Sequence, residues 1–279
     1  MKVLLKSLLR EVATLLTHRP AAGRRHLLAA YLPLKLRVSS RLAAKTAQFL
    51  ELSIHYTDLD ALVFMLEEVF IHEDYRFQCD REDPLILDCG SNIGVSVMYF
   101  KMLYPRATIY AFEPDPASFT CLIRNIADNR LQQVVPLQCA LLDHAGKAAF
   151  ASVSGALTSR VSEDQTDNTI EVETERLSRY IDRPVSFLKL DVQGVETSIL
   201  HELAASGKLG LVEQTVIEYH HHLPGSQRLA GSQKGLDTLL RLLVDDGFDY
   251  QLSTTRGNRW TQGAFQDVLV FAYRPDIKR

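Results

Sequence analysis

The chain has 279 residues, 46% of them hydrophobic, and a formal net charge of −3. That length supplies one substantial core plus an accessory segment, and no apolar run approaches the roughly 20 residues of a membrane-spanning helix. The four cysteines, Cys79, Cys89, Cys121 and Cys139, show neither zinc-knuckle nor disulfide-framework spacing, so a reducing, cytoplasmic setting is expected.

The amino-terminal segment opens like a signal peptide, but Lys6, Arg10 and Glu11 interrupt its apolar region and no small-residue cleavage site follows. Leu4, Leu5, Leu8, Leu9, Val12, Leu15 and Leu16 recur at helical spacing. Pro20 and Gly23 break that helix, and a second helical pattern starts after Arg24. Up to Leu50 there are ten basic residues against the single acid Glu11, a net +9 that leaves −12 on the remainder. Such an arm is expected to pack on its own acidic domain, with peripheral contact to an anionic membrane surface as the next reading and nucleic acid behind both. Residues 51–83 read as a connecting layer, with a strand at Leu52 to Tyr56 and a helix at Leu59 to Phe70. We therefore divide the chain into an N-terminal helical and accessory segment, 1–83, and a main domain, 84–279.

Leu85 to Gly94, Leu-Ile-Leu-Asp-Cys-Gly-Ser-Asn-Ile-Gly, carry the most information. An apolar strand meets an acid, a tight glycine turn and the apolar start of a helix. A dinucleotide fingerprint needs a second glycine where the backbone meets a pyrophosphate, and Asn92 stands there instead. Asp88, two residues before Gly90, would repel a pyrophosphate but suits a ligand carrying an ammonium and a sulfonium. A helix at Val95 to Leu103 and a strand at Thr108 to Phe112 follow. They place Glu113 at a strand end about 25 residues after Asp88, where an acid accepts from ribose hydroxyls. Together Asp88, Gly90, Ser91, Asn92, Gly94, Glu113 and Pro114 point to S-adenosylmethionine (SAM). The plainer alternative is a turn that uses glycine only for its backbone freedom.

Alternation continues with a helix at Pro116 to Ala127 and a strand at Val134 to Leu141. A strand at Val185 to Asp191 precedes a helix at Gly194 to Ala205. Thr215 to Tyr219 is a strand, Gly235 to Asp246 a helix, and Phe248 to Ser253 with Asp267 to Tyr273 a closing pair of strands. The stretch between Gly146 and Thr174 is polar and reads as an excursion or lid beside the pocket. The expected fold is α/β: a seven-stranded, Rossmann-like sheet of the SAM-methyltransferase kind with helices on both faces, plus a helical N-terminal extension.

With these motifs placed, the chain resembles the FkbM family of SAM-dependent methyltransferases. The resemblance rests on Ile86 to Gly94, Ala111-Phe112-Glu113-Pro114, Ile217-Glu218-Tyr219-His220, and most specifically Lys189-Leu190-Asp191-Val192-Gln193-Gly194-Val195-Glu196. Family members commonly carry Glu where this chain has Gln193, so an acid is missing there. The resemblance implies O-methylation of a saccharide, glycan or natural product.

Transfer to a hydroxyl needs an in-line geometry and a group to receive the proton. Asp191 ends a strand beside the expected sulfonium; it either serves the reaction or caps the following helix. Lys189, two residues earlier on the same face, either forms an ion pair with Asp191 or Glu218 or takes part in catalysis. Glu218 and His220 share a strand face, with His222 continuing it. They form an acid–base site, a divalent-metal site together with Asp191, or a polar turn. Ala140 frames the adenine, and Asp143 is either an adenine acceptor or a turn residue. The partner is a small-molecule or saccharide acceptor, and a dimer is compatible with the chain. A nucleic-acid methyltransferase is the rival enzyme, but the Asn/Asp-Pro-Pro-aromatic signature and a Pro-Cys nucleophile are both missing. A non-catalytic SAM-binding protein is the rival outside enzymes.

Overall fold

The computed structural model describes residues 9, 11–15, 20–37, 42, 43, 45–151, 160, 161, 169–220, 235–254 and 267–276. The chain is helical at 9 and 11–15, then forms helix α1 (Arg24–Lys35) and a small sheet of β1 (Leu42–Ala43), β2 (Thr46–Phe49) and β3 (Leu52–His55). The accessory segment is therefore partly a sheet, where the sequence reading expected helices and one strand. Helix α2 (Leu59–Leu66) runs into a wider π-helical turn at Glu67–His72, so the single helix expected at 59–70 changes pitch midway. Asp58 caps α2 by accepting from Ala61 N–H at 2.9 Å.

The main sheet follows: β4 (Leu85–Cys89), α3 (Val95–Leu103), β5 (Thr108–Phe112), α4 (Pro116–Asp128) and β6 (Val134–Leu137). Next come β7 (Ala140–Leu141), β8 (Gly146–Ala151), β9 (Arg160–Val161) and β10 (Thr169–Glu175). The last elements are β11 (Phe187–Leu190), α5 (Glu196–Ala205), β12 (Gln214–Tyr219), α6 (Leu236–Asp245), β13 (Asp249–Thr254) and β14 (Val268–Tyr273). Seven strands join in the order β13-β14-β12-β11-β4-β5-β6. From β12 to β6 the neighbours are parallel, while β14 runs antiparallel to both β12 and β13. The chain leaves β4 toward β5 on one side and returns to β11 on the other. That reversal opens a crevice at the carboxyl ends of β4 and β11.

The expected strand at 134–141 is two strands. β6 ends at Leu137, and Ala140 and Leu141 pair in parallel with Thr174 and Glu175 in a second, four-stranded sheet. The polar stretch after Gly146 is also strand where it is described: β8 and β10 pair antiparallel from Gly146↔Thr174 to Ala151↔Thr169. Val172 and Thr174 are buried while Glu171 and Glu173 face outward, a period-two pattern hidden within polar composition. The remainder of that lid, 152–159 and 162–168, lies outside the described residues.

Two sets of contacts hold the accessory layer together and tie it to the main domain. Glu67 accepts from Tyr31 Oη and Lys35 Nζ, both at 2.5 Å, and Glu73 Oε1 accepts from Ala21 N–H and Tyr99 Oη at 2.9 Å. Buried Leu27, Tyr31, Phe49 and Phe70 lie in the same apolar cluster as Ile86, Met98 and Tyr99. The second set closes the free edge of β3. Asn125 and Asn129, one turn apart on α4, each accept from and donate to one backbone residue of β3. Asn125 pairs with His55 N–H and C=O at 2.7 and 3.0 Å, and Asn129 with Ser53 N–H and C=O at 2.9 and 2.8 Å. The match works because four residues of helix rise about 6 Å and two residues of strand about 6.7 Å.

Asn125 also donates to Ile93 C=O at 2.7 Å and is 1% exposed. Asn125→Ala removes the partner of one buried and two half-buried backbone groups, so it should lower the unfolding free energy by about 2–3 kcal/mol. Asn129→Ala should cost less. Urea unfolding with an unchanged midpoint for Asn125→Ala would show that the amide edge carries no stability.

Candidate active site

A cavity of about 500 Å³ opens at the crevice, within the size range of cofactor and small-ligand sites. Gly90, Ser91, Asn92, Glu113, Pro114 and Ala140 line one end. Lys189, Asp191, Glu218 and His220 line another part of the same wall system. Ten of the sequence-selected residues thus come together.

The turn after β4 is shaped by close approach. Gly90 has φ 88°, and a Cβ there would sit 1.9 Å from Asp191 C=O, so only glycine lets β4 and β11 converge. Asn92 takes a left-handed φ of 49°, and its Oδ1 accepts from Ile93 N–H at 2.8 Å. Gly94, also at φ 88°, does not line the cavity; a Cβ there would meet Leu122 at 2.7 Å, so its role is to let α3 pack on α4.

Glu113 is 6% exposed. Oε2 accepts from Asn92 N–H and Oε1 from Asp115 N–H, both at 2.8 Å. Burial raises its pKa to about 7, against the lowering effect of those two hydrogen bonds. The carboxylate is thereby held rigidly at the end of β5 with lone pairs left for hydroxyl donors.

Asp88 does not reach the cavity, against the expectation that it grips the ligand's amine. It is fully buried beneath the turn, where Oδ2 accepts from Ser96 Oγ at 2.6 Å and Oδ1 lies 3.5 Å from Lys189 Nζ. Asp143 is likewise outside the lining. Its side chain is mostly exposed and contacts His144 at 2.7 Å, which is the geometry of a turn residue.

Lys189 is 3% exposed and donates to Gly90 C=O at 2.8 Å and to Asp191 at 3.4 Å. Burial disfavours its charge, but Asp191 and Asp88 outweigh that and raise its pKa. Asp191 is the accessible group of the cluster, with a side chain 21% exposed. Its partners are Lys189, Gln193 at 3.3 Å and His220 at 3.8 Å. It does not cap the next helix: the cap position of α5 is Val195, and Gly194 N–H donates to Glu196 at 2.9 Å.

His220 packs inside the cluster. Nδ1 lies 2.7 Å from Glu196 Oε1 and Nε2 lies 2.7 Å from Gln193 Nε2. Burial alone would lower its pKa, yet Glu196, Asp191 and Glu218 together raise it to about 10. An imidazolium requires the Gln193 carboxamide to present its oxygen to Nε2–H, which gives up the Gln193 donation to Asp191. Glu218 is pushed up to about 8, by burial first and then by Asp191. Asp191, Glu218 and His220 offer donor atoms within 4.8 Å of one another, a spacing suited to a divalent ion. His221 and His222 lie outside the described residues.

Sequence reasoning missed two groups. Glu196 stood in the quoted motif without a role; its 1% exposure at the start of α5 marks it as a buried partner acid. Phe64, Met65, Glu68, Val69 and Tyr75 form a wall from the accessory layer. Helical periodicity showed that α2 exists but not where its surface would face.

The arrangement fits SAM. A rigid acid stands at the end of the second parallel strand, the glycine turn admits close backbone approach, and a further carboxylate opens on the same cavity. A family model described as the methyltransferase FkbM domain matches residues 88–250. The methyltransferase sdnD of Sordaria araneosa is 31% identical over 249 residues, covering 76% of this chain and 90% of that protein. The 2-O-methyltransferase NoeI of Sinorhizobium fredii is 27% identical over 194 residues, 62% of this chain and 76% of that protein. The hexuronic acid methyltransferase AglP of Haloferax volcanii is 28% identical over 196 residues, 67% and 74% respectively. The family match takes in more than half of the chain, including the glycine turn, Glu113 and the Lys189–Glu196 block; the chain belongs to the FkbM family of SAM-dependent methyltransferases.

Proposed function

We propose that this methyltransferase acts on a hydroxyl of a saccharide or natural-product acceptor, with Asp191 receiving the hydroxyl proton. The observation that carries the reading is the accessible Asp191 carboxylate, opening on the same cavity as Glu113 and flanked by two cations. The 2-O-methyltransferase among the relatives supports oxygen as the acceptor atom.

When bound, SAM supplies a methyl carbon made electrophilic by its sulfonium. Glu113 and the 90–92 turn hold the adenosyl part. Asp191 would accept the proton of the acceptor O–H and pass it to water, while the bound donor would supply the methyl group and leave as the thioether. Lys189 and His220 compensate the charge of Asp191 and fix its position. Glu218, raised to about 8, is protonated at neutral pH and can donate to the acceptor. His220, raised to about 10, is an anchoring cation rather than the base that its ordinary pKa suggests.

A second reading has its own observation, the 4.8 Å grouping of Asp191, Glu218 and His220. We favour direct proton transfer because both ring nitrogens of His220 already face partners. Turnover should therefore survive dialysis against EDTA. Loss of turnover restored by manganese or zinc would establish the metal reading instead.

Two further outcomes follow from the geometry. Asp191→Asn should reduce kcat by about 10²–10⁴ while calorimetry shows the affinity for S-adenosylhomocysteine unchanged; wild-type turnover in that variant would remove Asp191 from the chemistry. Ribose hydroxyls donate to an ionised Glu113, and its pKa of about 7 means the ionised form dominates only above neutrality. Affinity for S-adenosylhomocysteine should then fall as pH drops from 8 to 6, approaching about tenfold per unit below the pKa. Glu113→Gln should bind weakly and lose that pH dependence; a variant that keeps the wild-type profile would assign the titration elsewhere.

A further inference from the structure

We propose that the Tyr75 hydroxyl is a specificity-determining group of the acceptor site, and that the acceptor it receives is an uncharged polyol, a neutral saccharide rather than a sugar acid. This rests on the methyl-transfer reading of the cavity and deepens it.

Tyr75 follows the π-helical turn, before residue 88, where the family match begins. The wall it belongs to is therefore built by the accessory layer and not by the shared SAM-binding core. The residue is 3% exposed, yet it lines the cavity, and its hydroxyl has no hydrogen-bond partner among the described residues. The hydroxyl oxygen is open to the cavity, and an acceptor hydroxyl seated there would supply its partner. Lys189 Nζ lies 5.1 Å from the Tyr75 ring centroid, which places the ring beside Asp191. Burial, then Asp191, Glu68 and Glu218, hold the phenol protonated, so the group serves as a neutral donor.

The charges around it select against acids. Asp191 lines the cavity as an accessible carboxylate, with the protonated Glu218 beside it. The cations among the described lining residues are Lys189 and His220, and both are engaged: Lys189 with Gly90 C=O, Asp88 and Asp191, His220 with Glu196 and Asp191. A carboxylate on the acceptor would meet Asp191 at close range, while both cations among the described lining residues already face acids. Hydroxyls donate to carboxylates and accept from a phenol, so a polyol matches both kinds of group. Phe64, Met65 and Val69 on the same wall offer an apolar surface for the C–H face of a sugar ring. The hexuronic acid methyltransferase AglP would then differ from this chain in acceptor charge.

The test is calorimetric titration of the full chain saturated with S-adenosylhomocysteine. The probes are the methyl glycosides of glucose, galactose, mannose and rhamnose, with methyl glucuronide as the anionic counterpart. At least one neutral glycoside should bind saturably, with the glucuronide at least about tenfold weaker. Tyr75→Phe deletes one oxygen without altering packing; it should weaken the neutral glycoside by about tenfold while S-adenosylhomocysteine affinity and Tm stay as in the wild type. A glucuronide that binds as tightly as the neutral sugars, no saturable neutral glycoside, or an unaffected Tyr75→Phe would each overturn the proposal. The glucuronide comparison uses wild-type protein and does not depend on the variant folding. Failure of S-adenosylhomocysteine itself to bind would instead remove the methyl-transfer reading, and this inference with it.

Discussion

The buried ammonium of Lys189 is the constraint on which the site depends. It reaches from β11 across the crevice to the carbonyl of Gly90, and it faces Asp88 below and Asp191 above. A cation this deep is tolerated only with compensating charge and good hydrogen-bond geometry, and here the compensating acids come from the ends of two adjacent strands. The same contact fixes the glycine turn against Asp191 C=O, where no Cβ would fit. The glycine turn and the Asp191 carboxylate are thus positioned by one interaction, and neither can shift without the other.

This reassigns the acid before the glycine turn. From the sequence, Asp88 looked like a ligand for the SAM amine, because its spacing from Gly90 is right. In the fold it points beneath the turn, held by Ser96 and Lys189. Spacing along a strand tells which face a side chain takes, but not whether that face is covered by a neighbouring strand's lysine. Glu113 was legible for the opposite reason. It stands one residue past the end of β5, where no further strand pairing competes, and its carboxylate is turned by backbone N–H groups that any such corner provides.

The parallel strands and their helices were also legible, since each combines an apolar run with a turn signal. What stayed hidden depended on contacts far apart in sequence. The hairpin of β8 and β10 has too much Glu and Thr to read as strand until its partner is known. The small sheet of β1 to β3 is short, and β3 draws its edge partners from the side chains of Asn125 and Asn129 on a helix about seventy residues later. The wall from Phe64 to Tyr75 read as an ordinary amphipathic helix. Its facing on the cavity follows from the buried acids Glu67 and Glu73, which bind groups of the preceding segment and of α3.

The protonation pattern of the inner cluster suits a reaction that moves one positive charge. Neighbouring acids keep the protons on Lys189 and His220, and burial keeps Glu218 protonated at neutral pH. On the proposed mechanism Asp191 gains the hydroxyl proton as the sulfonium loses its positive charge in the same event. Charge in the low-dielectric crevice is balanced on both sides of the transfer, so the surrounding dipoles need little reorganisation. The burial that raises Glu218 and the Glu196 contact that holds the His220 proton are thus what match this pocket to a cationic donor.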